Sequence, residues 1–519
     1  MNKRNLKNIV ILGGGTAGWI TALYIERVMP DANITLIESD EIGILGAGEG
    51  STPHLINFLD FVGIPASKLV KEADATIKNG IKFTNWRNNN SFYYHGFYLF
   101  NNLDFDGCNL HEKALSINSA FTSSITLDGD VNEFSLTSKI SEQNKVPFVY
   151  KMQASQEPAD NILKYDGLGT FSLHFNAVML ADSLRNVAMS RGVTRVEGIV
   201  DSIKENKNGD ISEVAVGDKK IPVDFIFDCS GFSKVIIGKH YKSKWKSHSD
   251  KLPVDSALPF FIPIDSKDPI PAYTESIAMK YGWMWKIPTK ERFGCGYVYD
   301  SSLISEEEAR KEIEDYLGYE PIYPRKEKGS FKFSAGYYET PWVNNCIAVG
   351  LSSGFIEPLE ATSIWVTIQS LQRVLSNVEA MSSLDPRNAR DFNERFRFMS
   401  DSVVDFVYLH YMSDRNDTEF WKKFTIENSP NYVKNMLESW EYRLPQFDDF
   451  NKDPVWGMNS WVSVAAGINR LNVDLFKEAF KTSFAQKQAT ELYENAKDRQ
   501  NMVTGSCVDH RVFLKDLSK

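Results

Sequence analysis

Two glutamates, Glu357 and Glu360, stand in the stretch Leu351-Ser-Ser-Gly-Phe-Ile-Glu-Pro-Leu-Glu-Ala-Thr-Ser-Ile364. Before it lies a short apolar run, Cys346–Gly350, and after it a helical pattern beginning at Trp365. Small residues, a turn proline and two carboxylates therefore fall between a strand and a helix N-terminus. Backbone N–H groups are unpaired at such a place, which favours an anion or an electron-rich cofactor edge. A plain strand-to-helix turn with two solvated glutamates would look the same, so this stretch alone does not name a function.

A second constellation opens the chain. Asn8–Leu12 reads as a buried parallel strand, Gly13-Gly-Gly-Thr-Ala-Gly18 follows at once, and Trp19–Arg27 has helical apolar spacing. A second strand, Ala32–Ile37, ends in Glu38, which lies 20 residues after Gly18. This is a dinucleotide fingerprint in its strand–turn–helix–strand setting. Its glycines allow close backbone approach to a pyrophosphate, and Glu38 can accept hydrogen bonds from ribose hydroxyls. The turn suits FAD or NAD. Two later strand ends, Phe225–Gly231 and Val349–Gly354, fit a long flavin dinucleotide threaded through one domain, and no second GxGxxG in strand–helix context offers a separate NAD(P)H site.

The elements that must position these groups follow from the patterning. Short alternating runs and turn signals over roughly 83–165 and 235–340 predict an antiparallel sheet inserted into the nucleotide domain. From about 365 onward helices are expected over Trp365–Met381, Asn388–Tyr411, Phe420–Leu437 and Leu475–Arg499. A chain of 519 residues with 42% hydrophobic and 24% charged content suits a large globular protein. Its formal charge of −10 argues against nucleic-acid or anionic-membrane partners. Five scattered cysteines (Cys108, Cys229, Cys295, Cys346, Cys507), the absence of a signal-peptide apolar region and the lack of a membrane-length run lead us to expect a cytoplasmic protein with reduced thiols. Eight histidines without ligand spacing give no reason to expect a metal.

Several motifs together resemble the flavin-dependent halogenases of the tryptophan-halogenase family. They are Gly13–Trp19, Gly46-Ala-Gly-Glu-Gly-Ser-Thr-Pro53, Ala75–Trp86, Gly282-Trp-Met-Trp-Lys-Ile-Pro288, Phe355–Glu360 and Asp405–Tyr411 with Phe420-Trp421. The resemblance covers essentially the whole chain, and W-x-W-x-I-P is its most specific part. It implies an α/β (α+β) fold: a Rossmann-like FAD-binding domain of the flavin monooxygenase type over 1–364, with the inserted sheet, and a mainly helical substrate region over 365–519. It further implies oxidative halogenation of an electron-rich aromatic by FADH2, oxygen and halide. A flavin reductase would act as partner, and a homodimer is the first expectation for the assembly.

By the same resemblance Lys78 is the lysine that hydrogen-bonds or traps the electrophilic halogen, and Glu360 is the acid. Glu357 is assigned a structural role. Flavin contacts fall on Gly13, Gly14, Gly15, Thr16, Ala17, Gly18, Glu38, Ser39, Gly50, Val196, Leu351 and Ile364. The halide meets the backbone N–H groups of Thr362 and Ser363. His95 and Phe97, on a substrate-lining loop Phe92–Phe97, and Trp456 enclose a flat substrate. Trp283 and Trp285, on one face of a strand, wall the substrate off from the flavin. As isolated residues, Lys78 would read as a solvated helix lysine and the two tryptophans as core.

Two departures bear on specificity. Members acting on free tryptophan read L-E-S-T-G where this chain has Leu359-Glu-Ala-Thr-Ser363, so bromide or iodide in place of chloride is an expectation. Those members also carry a glutamate and aromatic residues that grip the amino acid, where Asn451 and Val455 stand here. Free tryptophan is therefore expected to be a poor substrate, behind a less polar indole, phenol or larger aromatic. The competing readings are an FAD-dependent aromatic monooxygenase, which would need no halide, and a non-catalytic flavin-binding protein.

Overall fold

A computed structural model describes residues 3–42, 48–87, 91–97, 135–151, 165–324, 329–450, 455–481 and 483–518. The chain forms two compact units. One comprises Met1–Ala75, Phe175–Asp250 and Phe333–Asp401, and the other Thr76–His174, Lys251–Lys332 and Ser402–Lys519.

The first unit is built on a six-stranded sheet in the order Thr194–Glu197, Asn33–Glu38, Asn8–Leu12, Phe225–Asp228, Cys346–Ala348, Trp342–Val343. The first five strands run parallel and the last is antiparallel. Continuous apolar runs such as Ile9-Val-Ile-Leu12 and Phe225-Ile-Phe227 are buried, as expected where both faces of a sheet are covered. The helices Thr16–Val28, Ala177–Ser190 and Thr362–Leu375 supply cover, with Thr16–Val28 packed against the other two. Asn176 caps the second of these, its side chain accepting from the N–H groups of Val178 and Met179.

The second unit carries a seven-stranded sheet in the order Phe331–Lys332, Ser256–Pro263, Arg292–Tyr299, Gly282–Pro288, Thr274–Ala278, Gly80–Thr84, Phe92–Gly96. It is antiparallel except where Gly80–Thr84 runs parallel to Thr274–Ala278. The three-residue strand Thr76–Lys78 lies outside this sheet and pairs antiparallel with Ser172–Asn176. Helices Asn431–Trp440, Met458–Gly467, Val473–Phe480, Ser483–Ser506 and His510–Ser518 follow in sequence. Among the described residues no helix is long and apolar enough to cross a membrane.

Some expected elements differ. Phe92–Phe97 is no loop: Phe92–Gly96 is a strand, because its aromatic residues alternate between faces and pair in register with Gly80–Thr84. The helix expected over Phe420–Leu437 is a 3-10 turn at Trp421–Lys423 and a helix starting at Asn431. Pro430 lacks the N–H that a continuing helix needs, and it occupies the cap position instead. Trp365–Met381 likewise breaks, giving helices Thr362–Leu375 and Val378–Ser382. Asn377 caps the second of these by accepting from the Ala380 N–H. Leu475–Arg499 becomes Val473–Phe480 followed by Ser483–Ser506. Gly46, Ala47, Cys108 and Asn451 lie outside the described residues.

Candidate active site

In the first unit the parallel registers bring five strand ends to one edge of the sheet. Leu12 is level with Ile37 and Asp228, Asp228 with Ala348, and Ile37 with Val196. The segments that leave this carboxyl edge carry Gly13–Gly18, Glu38 with Ser39, and Leu351, so these expected flavin contacts are gathered where open α/β sheets bind ligands. At the turn, a Cβ on Gly18 would stand 1.9 Å from the Gly13 carbonyl oxygen, so no larger residue fits. Gly15 is the opposite case: a Cβ there would meet nothing within 4 Å. The helix behind it has no side-chain cap and no acidic residue in its first turn. An uncapped helix start beside the open space at Gly15 suits a pyrophosphate, which is the fit an FAD group requires. Glu38 accepts from Arg195 Nε at 2.5 Å, with Arg185 at 3.7 Å, so two guanidinium groups hold its side chain beside the turn. Val196 and Ile364 are buried and Gly50 is half-buried.

The Glu360 turn has an unusual backbone. Glu360 and Ala361 are consecutive residues in the left-handed region, at φ 66° and 54°. Side-chained residues adopt that region at a cost of about 1–2 kcal/mol each. Thr362 and Ser363 then start the helix Thr362–Leu375, which has no side-chain cap. Position 363 is helical, so the backbone at Ser363 does not call for glycine. Glu357 and Glu360 are 1% and 5% exposed, so neither is the solvated carboxylate of the plain-turn reading.

In the second unit Lys78 is wholly buried on the strand Thr76–Lys78, not on a solvated helix. Its ammonium lies 5.5 Å from the centre of the Phe97 ring, within cation–π range. His95 is buried on Phe92–Gly96, and its ring lies 5.5 Å from that of Phe406. Phe406 in turn stacks on Trp456 at 4.1 Å. The three expected substrate contacts therefore belong to one unit, and Phe406 links two of them, His95 and Trp456. Phe406 lies within the helix Pro386–Tyr411, and only tertiary packing puts its ring on Trp456.

Trp283 and Trp285 are both buried on Gly282–Pro288, with ring centres 6.3 Å apart. Gly296, cross-strand from Trp285, makes room for its indole: a Cβ there would fall 2.2 Å from the ring. Two further groups escaped the sequence reading. Burial pushes the Glu49 carboxyl up to about 7, so the Gly48–Gly50 strand holds a group that titrates near neutrality. His54 Nε2 accepts from Trp365 Nε1 at 3.2 Å, and burial lowers its pKa.

The geometry can be set beside known proteins. The family model for tryptophan halogenase matches residues 8–478. The tryptophan 6-halogenase SttH of Streptomyces toxytricini is 30% identical over 462 residues, 86% of each chain. The tryptophan 7-halogenase RebH of Lentzea aerocolonigenes is 33% identical over 445 residues, 80% of this chain and 78% of its own. Among solved structures, the flavin-dependent halogenase Xcc4156 from Xanthomonas campestris superposes with a TM-score of 0.85 at 26% identity, covering 99% of this chain and 98% of its own. With a nucleotide turn that fits FAD and a match over nearly its whole length, this chain belongs to the tryptophan halogenase family and is a flavin-dependent halogenase, an oxidoreductase that uses FADH2.

Proposed function

We propose that this halogenase modifies an electron-rich aromatic less polar than free tryptophan, with Lys78 and Glu360 as its catalytic residues and bromide or iodide preferred to chloride. The observation that carries the reading is Lys78: a buried ammonium held 5.5 Å from the ring of Phe97. When bound, the reduced flavin would give two electrons to oxygen, and the partly reduced oxygen would take two more from halide to give hypohalous acid; a separate flavin reductase would provide that reduced form. Lys78 polarises the O–X bond of the hypohalous acid by hydrogen bonding to it. The aromatic ring attacks X, forming a C–X bond while the O–X bond breaks, and the departing hydroxide takes a proton from the Lys78 ammonium to leave as water. The ring proton goes to the Glu360 carboxylate, which the surrounding burial protects from water. Trp283 and Trp285 keep the organic substrate from the flavin, and His95, Phe97 and Trp456 hold it flat.

Two features support the specificity. The halide donors assigned at Thr362 and Ser363 are backbone N–H groups of a helix that has no side-chain cap, because Ala361 offers no hydroxyl. Neutral donors of this kind compensate the lost hydration of bromide better than that of chloride, which is more strongly hydrated. In the segment before Trp456, Asp449 is committed elsewhere. It receives hydrogen bonds from Arg443, from Trp440 Nε1 at 2.9 Å and from the Gln446 N–H at 2.8 Å. Asp449 is therefore occupied and does not offer its carboxylate to the ammonium group of a zwitterionic amino acid.

The test is a halide-dependence assay with FAD, NADH, a flavin reductase and a panel of indoles, phenols and free tryptophan. Brominated indole or phenol should form, chloride and free tryptophan should lag, and Lys78→Ala should lose roughly 100-fold or more of the product. Chlorination of free tryptophan as the dominant activity would overturn the specificity. Halogenation undiminished in Lys78→Ala would overturn the catalytic assignment.

A further inference from the structure

The strand that carries Lys78 is three residues long and has a strand on one edge only among the described residues. So short a strand does not hold a side chain in place through its ladder alone. On its open edge the Ile77 N–H donates to Nε2 of His510 at 2.9 Å, across 433 residues of sequence. An imidazole takes the place of the missing strand.

The bonds around His510 define its tautomer. Nδ1 lies 3.0 Å from the Ile270 carbonyl oxygen, which can only accept, so Nδ1 carries the proton and Nε2 is the bare acceptor. The ring is wholly buried at the first turn of the helix His510–Ser518, and the His510 N–H donates to the Asn144 carbonyl at 3.0 Å. An imidazolium would set N–H against N–H at Ile77. Burial, the largest influence, pushes the pKa down to about 4, in keeping with the neutral form.

A second histidine supports the residue two before the lysine. The Thr76 hydroxyl donates to the carbonyl of Pro288 at 2.7 Å, the last residue of the W-x-W-x-I-P run. Its oxygen is then left to accept from Nδ1 of His174 at 3.3 Å, and Thr274 donates to Nε2 of the same ring at 2.9 Å. His174 too is neutral: burial and then the charge of Lys78 lower its pKa well below the ordinary value. Just beyond the strand, the Asn79 N–H donates to the Ala272 carbonyl at 2.7 Å. Thr76, Ile77 and Asn79 are thus each tied to a different segment, and neutral rings add no second positive charge beside the lysine.

We propose that His510 is a positioning residue for halogenation: its bond to the Ile77 N–H, anchored through Nδ1 on Ile270, fixes the strand that aims Lys78, with His174 as a second support. The proposal rests on the reading of Lys78 as the catalytic lysine. It makes the helix His510–Ser518 part of the machinery although none of its residues is assigned to touch substrate.

The experiment compares His510→Phe, His510→Gln and Lys78→Ala in the full chain. Glutamine keeps an acceptor near the position of Nε2; phenylalanine keeps the volume and loses the acceptor. The first readout needs no flavin: amide hydrogen exchange at Ile77, expected to quicken about tenfold in His510→Phe and to return towards the wild-type rate in His510→Gln. The second is bromination of indole with FAD, flavin reductase and NADH. The bromination rate should fall by up to roughly 100-fold in His510→Phe, mostly in kcat, with less product per NADH and more hypobromous acid trapped from solution. Recovery to within about threefold is expected in His510→Gln.

Wild-type exchange and bromination in His510→Phe would overturn the proposal. So would a folded His510→Gln that protects Ile77 as wild type does yet brominates far below wild type, an outcome that is read even if the phenylalanine variant fails to fold. Lys78→Ala separates the two readings: full bromination there refutes the role of the lysine, whereas a silent Lys78→Ala beside an unaffected His510→Phe refutes only the positioning role.

Discussion

The nucleotide turn of the first unit and the lysine strand of the second solve the same problem, holding a reactive group still, by different means. Gly13–Gly18 does it with backbone. Its residues are neighbours in sequence, its donors are helix N–H groups, and its geometry depends on the absence of side chains: Gly18 leaves no room for a Cβ and Gly15 opens to free space. Thr76–Lys78 does it with the rings of His174 and His510 and the carbonyl of Pro288, residues 98 to 433 positions away from their partners. Local backbone geometry can be specified by a few adjacent residues, whereas a splint of distant side chains exists only once the sheet and the last helix have assembled.

If that contrast is right, the turn should break all at once and the splint by degrees. The largest effect is expected from Gly18→Ala, whose Cβ would meet backbone and not a side chain able to move aside. It should cost about 3 kcal/mol or more of stability, or abolish FAD retention, as read by thermal melting and bound-flavin absorbance. A variant that melts and binds FAD like wild type would show that the turn tolerates a side chain after all.

A graded effect is expected from acid. His510 titrates at about 4 when folded against 6.5 when exposed, and His174 is likewise depressed. The unfolded chain therefore takes up protons at these sites between pH 6.5 and 4 while the folded chain does not, so stability falls as pH falls through that window. The loss from His510 alone is on the order of 3 kcal/mol by pH 4. Urea unfolding at pH 7 and 5 should show a smaller drop for His510→Gln than for wild type. An equal drop would mean that other groups govern the acid limb.

The smallest effect is expected where the two strategies meet. The Glu360–Ala361 turn needs left-handed backbone, as a glycine turn does, yet is made of side-chained residues. Ala361→Gly should relieve strain and raise stability by up to about 1 kcal/mol, less what glycine loses through its freer unfolded chain. A fall in stability would show that Ala361 makes contacts worth more than the strain.

Much of the first unit was legible in advance. Apolar runs followed by glycines, with Glu38 at its spacing, specify the parallel sheet and its nucleotide turn through local rules alone. W-x-W-x-I-P was legible as a strand because Trp283 and Trp285 alternate with Met284 and Lys286. The strand at Phe92–Gly96 was read as a loop because its alternation acquires meaning only beside Gly80–Thr84. Phe406 passed unremarked in a helical segment until folding stacked it on Trp456.

By itself the sequence determined the nucleotide fold, the flavin and the family, because these reside in contiguous motifs whose backbone conformation is local. Tertiary structure alone decided that Lys78 is buried rather than solvated, that Glu360 sits on strained backbone, and that His510 reaches the lysine strand. Burial, strain and long-range hydrogen bonds arise from what the rest of the chain packs around a residue, and no window of neighbouring sequence contains that information.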